Sequence, residues 1–272
     1  MDIHDLYENC VQSPEHVGPM LRAIHGGRPT ILAEDFAGTG ALCRHWCATV
    51  PGGRAIAVDL DEAVLARAAA QPGVETVVGD VRTASDPARH AGDIVFAGNF
   101  SIGYMHSRAD LLAYLRHAVA RLRPGGVVVI DTYGGASVFV PGVVERRHPI
   151  AFDRLPHLRG TVPPDAWIAY SYEQREADPL TGMVLDVLHF RLERQAGRHV
   201  EVLQEWPEAF VYPWRLWSVP ELREAMGEVG LTRTDVYATL PDAMDDEGNA
   251  YVEPVTPDDL DESFIVLVAG RA

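Results

Sequence analysis

The stretch Thr30-Ile31-Leu32-Ala33-Glu34-Asp35-Phe36-Ala37-Gly38-Thr39-Gly40-Ala41-Leu42 constrains the fold more than any other part of the chain. A short apolar run ends in two carboxylates, turns through small residues and enters an amphipathic segment. That order describes a strand, a tight turn and a helix start, with glycines where a ligand must approach the backbone closely. About twenty residues later a second apolar run, Ala55-Ile56-Ala57-Val58, ends in Asp59, and an acid at the tip of the second strand is placed to hydrogen-bond both hydroxyls of a ribose. Together the two features point to a nucleoside-containing cofactor on an α/β scaffold.

The pattern continues as alternating strands and helices. A helical start, Ile3 to Ile24, is broken near Ser13-Pro14 and ended by Gly26-Gly27. After the glycine turn come a helix to Val50, a strand from Arg54 to Asp59 and an alanine-rich helix to Gln71. Strands are expected at Val74–Val78, at Asp93–Ala97 and at the apolar run Val127–Asp131, with an amphipathic helix from Leu111 to Leu122 before the last of them. Such alternation predicts a mostly parallel sheet covered by helices on both faces.

Past Gly134-Gly135 the period changes to two, at 167–172, 183–190, 199–203 and 209–212, with hairpin punctuation at Asp178-Pro179-Leu180-Thr181-Gly182 and Ala196-Gly197. This predicts an antiparallel meander inserted into the α/β domain. Ser218 and Glu221 have capping-box spacing for a helix that ends at Gly230. Leu231–Leu240 and Ser263–Ala269 then read as a final strand pair, separated by an acidic loop. The expected division is 1–28 as N-terminal lid helices, 29–135 with 214–272 as the cofactor domain, and 136–213 as an inserted substrate or dimerisation subdomain.

Charge narrows the partners. The chain has 272 residues and a net charge of −16, from 23 basic against 39 acidic residues, which excludes a broad phosphate-backbone surface. No apolar run is long enough for a membrane span and the N-terminus has no secretory pattern, so a cytoplasmic location is expected. Cys43 and Cys47 lie four residues apart on one helix; packing as small apolar thiols, with no metal, is the expectation.

Two cofactors fit a glycine turn followed by an acid on the second strand. A dinucleotide site wants a third glycine for close helix packing, and Cys43 holds that place. The alternative is S-adenosylmethionine, which has no pyrophosphate. The chain resembles the class I S-adenosylmethionine-dependent methyltransferases over roughly residues 30–135 and 218–270. Glu34 to Gly40 matches that family's first motif and Asp59 its ribose-binding acid. Gly79-Asp80-Val81 matches the adenine loop, and Ala97 to Tyr104 the loop beside the transferring methyl. Leu122 to Gly126 matches the turn before the fifth strand, and Pro220 to Leu231 the helix into the sixth.

The resemblance implies a Rossmann-like sheet with an antiparallel last strand, and S-adenosyl-L-methionine bound by Tyr7, Glu34, Ala37, Gly38, Gly40, Asp59, Leu60, Asp80, Val81, Asn99 and Phe100. Phe36 departs from the pattern, standing where the first motif glycine usually sits. The implied reaction is methylation of a small molecule in specialised metabolism.

Acceptor residues should lie at the carboxyl ends of the strands, where open α/β sheets bind ligands. Candidates for catalysis are His106, Tyr104 and Tyr133, with His106 the neutral-pH base. Candidates for substrate contact are Asn99, Ser101, Tyr104, Tyr170, Trp214 and Arg215. The meander's aromatics suit a ring or an amine, such as an indole-like acceptor, or form the meander's own core or the face of a homodimer. Methylation at oxygen, carboxylate or carbon, a non-catalytic cofactor-binding protein and an NAD-dependent enzyme are the competing readings.

Overall fold

In the computed structural model, which describes residues 1–272, the predicted alternation is realised from the N-terminus onward. Helices α1 (Ile3–Cys10) and α2 (Pro14–His25) precede β1 (Ile31–Asp35), α3 (Ala41–Thr49), β2 (Arg54–Asp59), α4 (Glu62–Ala69), β3 (Val74–Val78), β4 (Gly92–Ala97), α5 (Arg108–Ala120) and β5 (Leu122–Gly135). Four long strands follow: β6 (Gly142–Pro149), β7 (Ala166–Asp178), β8 (Met183–Ala196) and β9 (His199–Arg215). The chain closes with α6 (Val219–Glu228), β10 (Arg233–Ala238), the two-residue strands β11 (Ala243–Met244) and β12 (Ala250–Tyr251), and β13 (Ser263–Arg271).

The chain divides into two compact units, Met1–Gln12 with Phe139–Trp214, and Ser13–Val138 with Arg215–Ala272. The two N-terminal helices therefore part company: α1 belongs with the β6–β9 sheet and α2 with the larger sheet.

The larger unit is built on seven strands in the order β10-β13-β5-β4-β1-β2-β3. β1 pairs in parallel with β2 and β4, β2 with β3, and β4 with β5, whereas β13 runs antiparallel to both β5 and β10. This is the expected α/β architecture with an antiparallel last strand. Central strands are apolar on both sides because helices cover both faces: Val127, Val128, Val129 and Ile130 are fully buried. One face packs on Leu111 and Leu115 of α5 and on Leu222 and Met226 of α6. The other packs on α2, α3 and α4 through Leu21, Trp46 and Leu65. The Ser218–Glu221 capping box forms as its spacing predicts. Because the parallel strands share one direction, their carboxyl ends line up along one edge, with Asp35, Asp59, Ala97 and Asp131 at or near it.

The smaller unit is the antiparallel sheet β6-β7-β8-β9. Leu6 of α1 joins Ile168, Leu188 and Phe190 in its core, and Asn9 ties helix to sheet by donating to the Pro149 carbonyl (3.0 Å) and accepting from the Ala151 N–H (2.8 Å). β6 escaped the sequence reading because almost all its residues are exposed, so no buried face stamps a period of two on it. Conversely, the separate stretches read at 199–203 and 209–212 are one continuous strand. No helix is long and apolar enough to cross a membrane.

Candidate active site

The turn after β1 is built by its backbone. Phe36, Gly38 and Gly40 take left-handed φ values of 58°, 54° and 63°. The Ala37 N–H donates to the Val58 carbonyl (3.0 Å), the Gly40 N–H to the Ala37 carbonyl (2.8 Å) and the Gly38 N–H to Asp59 Oδ2 (2.7 Å). The two glycines do different work. A Cβ on Gly40 would lie 2.5 Å from the Ala68 Cβ of α4, so this glycine lets two helices close up, whereas a Cβ on Gly38 would meet nothing within 4 Å. The second oxygen of Asp59 accepts the Asp61 N–H at 3.1 Å.

Strand alternation sends Glu34 and Asp35 to opposite faces of the sheet. Glu34 is buried against α3, where Oε2 accepts the Cys43 N–H (3.2 Å) and its thiol (3.0 Å). Burial pushes the Glu34 carboxyl up to about 7, and the nearby Asp59 and Asp35 charges act in the same direction. Thus Cys43, read as a missing glycine, is the partner of the motif acid. Asp35 faces α5, where it accepts from the Tyr114 hydroxyl (3.1 Å) and from Arg121 Nη2. All three side chains are fully buried, and Asp35 Oδ1 and Arg121 Nε and Nη1 have no hydrogen-bond partner.

Further along the same edge, Leu60 is 73% exposed beside Asp59. Asp80 follows β3, and Arg82 grips it through Nε to Oδ1 (3.0 Å) and Nη2 to Oδ2 (2.6 Å) while also reaching Asp110 (2.6 Å). The Arg82 hydrogen bonds hold the Asp80 carboxyl below its usual range. The Val81 side chain is buried in the core.

The loop after β4 is held from several sides. Asn99 and Phe100 both have left-handed backbones, with φ 55° and 60°. Asp131 Oδ1 of β5 accepts the Phe100 N–H at 2.8 Å, and the Phe100 ring meets Tyr133 edge-on at 4.8 Å. Burial pushes the half-buried Asp131 carboxyl up to about 7. Farther along, the Trp217 indole donates to the Met105 carbonyl (2.9 Å), and Thr132 donates to the Trp217 carbonyl (2.7 Å). Arg215 lies over the Trp217 ring at 3.8 Å and reaches the His106 carbonyl at 3.4 Å. Tyr104 and His106 are exposed, whereas Ser101 is buried.

Residues 36–126, from the glycine turn to the start of β5, match the family model of a methyltransferase domain. Over this stretch the chain is similar to methyltransferase domains. The methyltransferase fold extends over the whole chain. DesVI of Streptomyces venezuelae is 18% identical with a TM-score of 0.64, covering 99% of this chain and 96% of that one. The S-adenosylmethionine-bound amino pentose methyltransferase CalS10 of Micromonospora echinaspora is 18% identical with a TM-score of 0.65 and the same coverage. The sugar N-methyltransferase KedS8 of Streptoalloteichus sp. ATCC 53650 is 17% identical with a TM-score of 0.61, covering 99% and 93%. At these identities the likeness is one of fold. No curated protein matches the sequence.

Within the chain, Glu34, Ala37, Gly38, Gly40, Asp59, Leu60, Asp80, Val81, Asn99, Phe100, Ser101, Tyr104, His106, Tyr133 and Arg215 all belong to the larger unit. Tyr7, Tyr170 and Trp214 belong to the smaller one, where each has an aromatic partner: Tyr7 on Phe210 (5.1 Å), Tyr170 on Phe190 (5.3 Å) and Trp214 flat on Tyr212 (4.2 Å). Most meander aromatics thus pack among themselves. Sequence reasoning missed Arg82, Asp131 and the Asp35–Tyr114–Arg121 group. Asp131 had a signal, an acid at the tip of a buried strand; Arg121 had none, being one basic residue among many.

Proposed function

We propose that this chain is an S-adenosylmethionine-dependent methyltransferase that methylates the nitrogen of a small-molecule amine, with an amino sugar as the leading acceptor. The observation that carries the donor side is the turn at Gly38, where open space at the missing Cβ adjoins the Asp59 carboxylate. A carboxylate has about four lone-pair sites, so Asp59 can accept ribose hydroxyls while holding the two backbone amides. Exposed Leu60 offers apolar surface to the adenine, with Asp80 and Val81 at its border and Asp80 pre-set by Arg82. Ala37 and Gly40 shape the turn, Glu34 supports it from behind, and Asn99 and Phe100 face the methionine end. The residues present fit this cofactor.

When bound, S-adenosylmethionine supplies an activated methyl on a sulfonium whose leaving group departs neutral. The chain's task is then to align the acceptor, exclude water and take a proton from the amine. His106, exposed and two residues from Tyr104, is the group to receive that proton, and the Tyr104 and Tyr133 hydroxyls are available to hydrogen-bond the amine. Asn99, Ser101 and Arg215 supply polar contacts for the acceptor.

The nitrogen acceptor is supported by the likeness in fold to an amino pentose methyltransferase and a sugar N-methyltransferase. An aromatic acceptor loses its main support, since the meander aromatics are engaged with one another. The test is mass spectrometry of the full chain incubated with S-adenosylmethionine and matched amino sugars, hydroxy sugars and aromatic amines. Saturable N-methylation of amino sugars is expected; transfer confined to oxygen or carbon, or to aromatic amines, would overturn the acceptor assignment. Thermal stabilisation by S-adenosylhomocysteine but not by NAD is expected in the same preparation.

A further inference from the structure

Phe36 stands in a backbone conformation that an aromatic residue rarely adopts, with φ 58°. A glycine would occupy that place without strain. Such an outlier persists only where its surroundings over-determine it, and the surroundings of Phe36 are specific. On one side its ring lies 6.1 Å from that of Tyr114, tilted by 48°. Tyr114 cannot shift: it is fully buried, its hydroxyl is bonded to Asp35, and Asp35 is paired with Arg121. On the other side the Phe36 ring stacks on Tyr104, with centroids 6.1 Å apart and planes within 24°. Tyr104 is 42% exposed and ends the short helical turn Ser101–Tyr104 after β4. One aromatic ring therefore links a locked core group to an exposed phenol.

We propose that Phe36 is a positioning residue of the transfer site, holding the Tyr104 ring in place against the rigid Asp35–Tyr114–Arg121 group. The assignment rests on the reading that Tyr104 borders the acceptor. It explains why a strained aromatic residue occupies a turn whose other requirement, close approach to the cofactor, is met by Gly38. The Phe36 ring is packed against the core and serves through its contacts, not as a proton carrier. Attractive offset stacking gives the pair its geometry.

The test uses the full chain labelled with 3-fluorotyrosine, with the Tyr104 fluorine resonance assigned by its loss in Tyr104→Phe. Phe36→Gly relieves the backbone strain and should keep S-adenosylhomocysteine affinity within threefold of wild type. The Tyr104 resonance should nevertheless shift and broaden, and kcat for any accepted amine should fall at least tenfold. Phe36→Tyr, which restores a ring, should recover both the resonance and kcat. An unmoved Tyr104 resonance in Phe36→Gly overturns the proposal, as does a loss of cofactor affinity equal to the loss of activity. Should no amine be methylated even by wild type, the acceptor assignment fails, and the fluorine signal alone still decides the role of Phe36.

Discussion

Asp131 Oδ1 accepts the main-chain N–H of Phe100 at 2.8 Å and so fastens a loop in which Asn99 and Phe100 are both left-handed. Two consecutive non-glycine residues in that region are costly, and the Asp131 carboxyl on β5 offsets part of that cost.

Removing this acceptor strands a backbone donor. Asp131→Ala should destabilise the fold by roughly 1–3 kcal/mol, the cost of an unsatisfied buried N–H. Asp131→Asn keeps an oxygen in the same place and should recover most of the loss. Urea unfolding of the two variants checks this, and an Asp131→Ala protein as stable as wild type would show that the loop does not depend on the bond.

Asp59 holds Gly38 and Asp61 by their N–H groups and is also the proposed ribose acceptor. Asp59→Ala removes a charged acceptor from the proposed ribose site. Hydrogen bonds to a charged group contribute about 1.5–3 kcal/mol, so the Kd for S-adenosylhomocysteine should rise by about tenfold to a hundredfold. Isothermal titration calorimetry measures it, and an unchanged Kd removes Asp59 from the site.

The Asp35–Arg121 pair makes a contrasting prediction. Breaking one side leaves an uncompensated buried charge, which typically costs about 3–5 kcal/mol, so Arg121→Met should be severely destabilising. Asp35→Asn combined with Arg121→Met removes both charges and keeps an acceptor for Tyr114. Because Asp35 Oδ1 and Arg121 Nε and Nη1 already lack partners, the double variant should be distinctly more stable than Arg121→Met alone. Equal stabilities in chemical denaturation would mean that packing, rather than charge, sets the cost.

What the sequence revealed and what it hid follow from the range of the interactions. Strand and helix periods are local, so the α/β alternation and the Ser218–Glu221 cap were legible. β6 was hidden because an exposed edge strand carries no buried face. The glycine turn and Asp59 were legible because a strand-turn-helix unit places small residues and a strand-end acid at short spacing. Asp131 and Arg121 act through partners 31 and 86 residues away, and Arg82 adds to its neighbour Asp80 a partner 28 residues away; no single-sequence spacing encodes those long-range pairings. Phe36 was legible as a departure, but its contacts with Tyr104 and Tyr114 required the folded chain.

Glu34 gives the stability a pH dependence of defined sign. Burial raises its carboxyl from the ordinary 4.5 to about 7, against the opposing pull of the Cys43 hydrogen bonds. Between those two values the folded protein holds a proton that the unfolded chain has released. The stabilisation is therefore complete below the unfolded value and is lost as pH rises through the folded one. A shift of this size corresponds to roughly 3 kcal/mol at most. Asp131, raised in the same direction, contributes over a similar window, so the Glu34 share must be isolated by comparison. Glu34→Gln keeps an acceptor for Cys43 but cannot ionise. From pH 5 to pH 8 wild type should lose roughly 2–3 kcal/mol relative to Glu34→Gln, read from urea unfolding at each pH. Parallel pH profiles for the two proteins would mean that Glu34 is ionised throughout this range, with its charge stabilised by more than the Cys43 N–H and thiol.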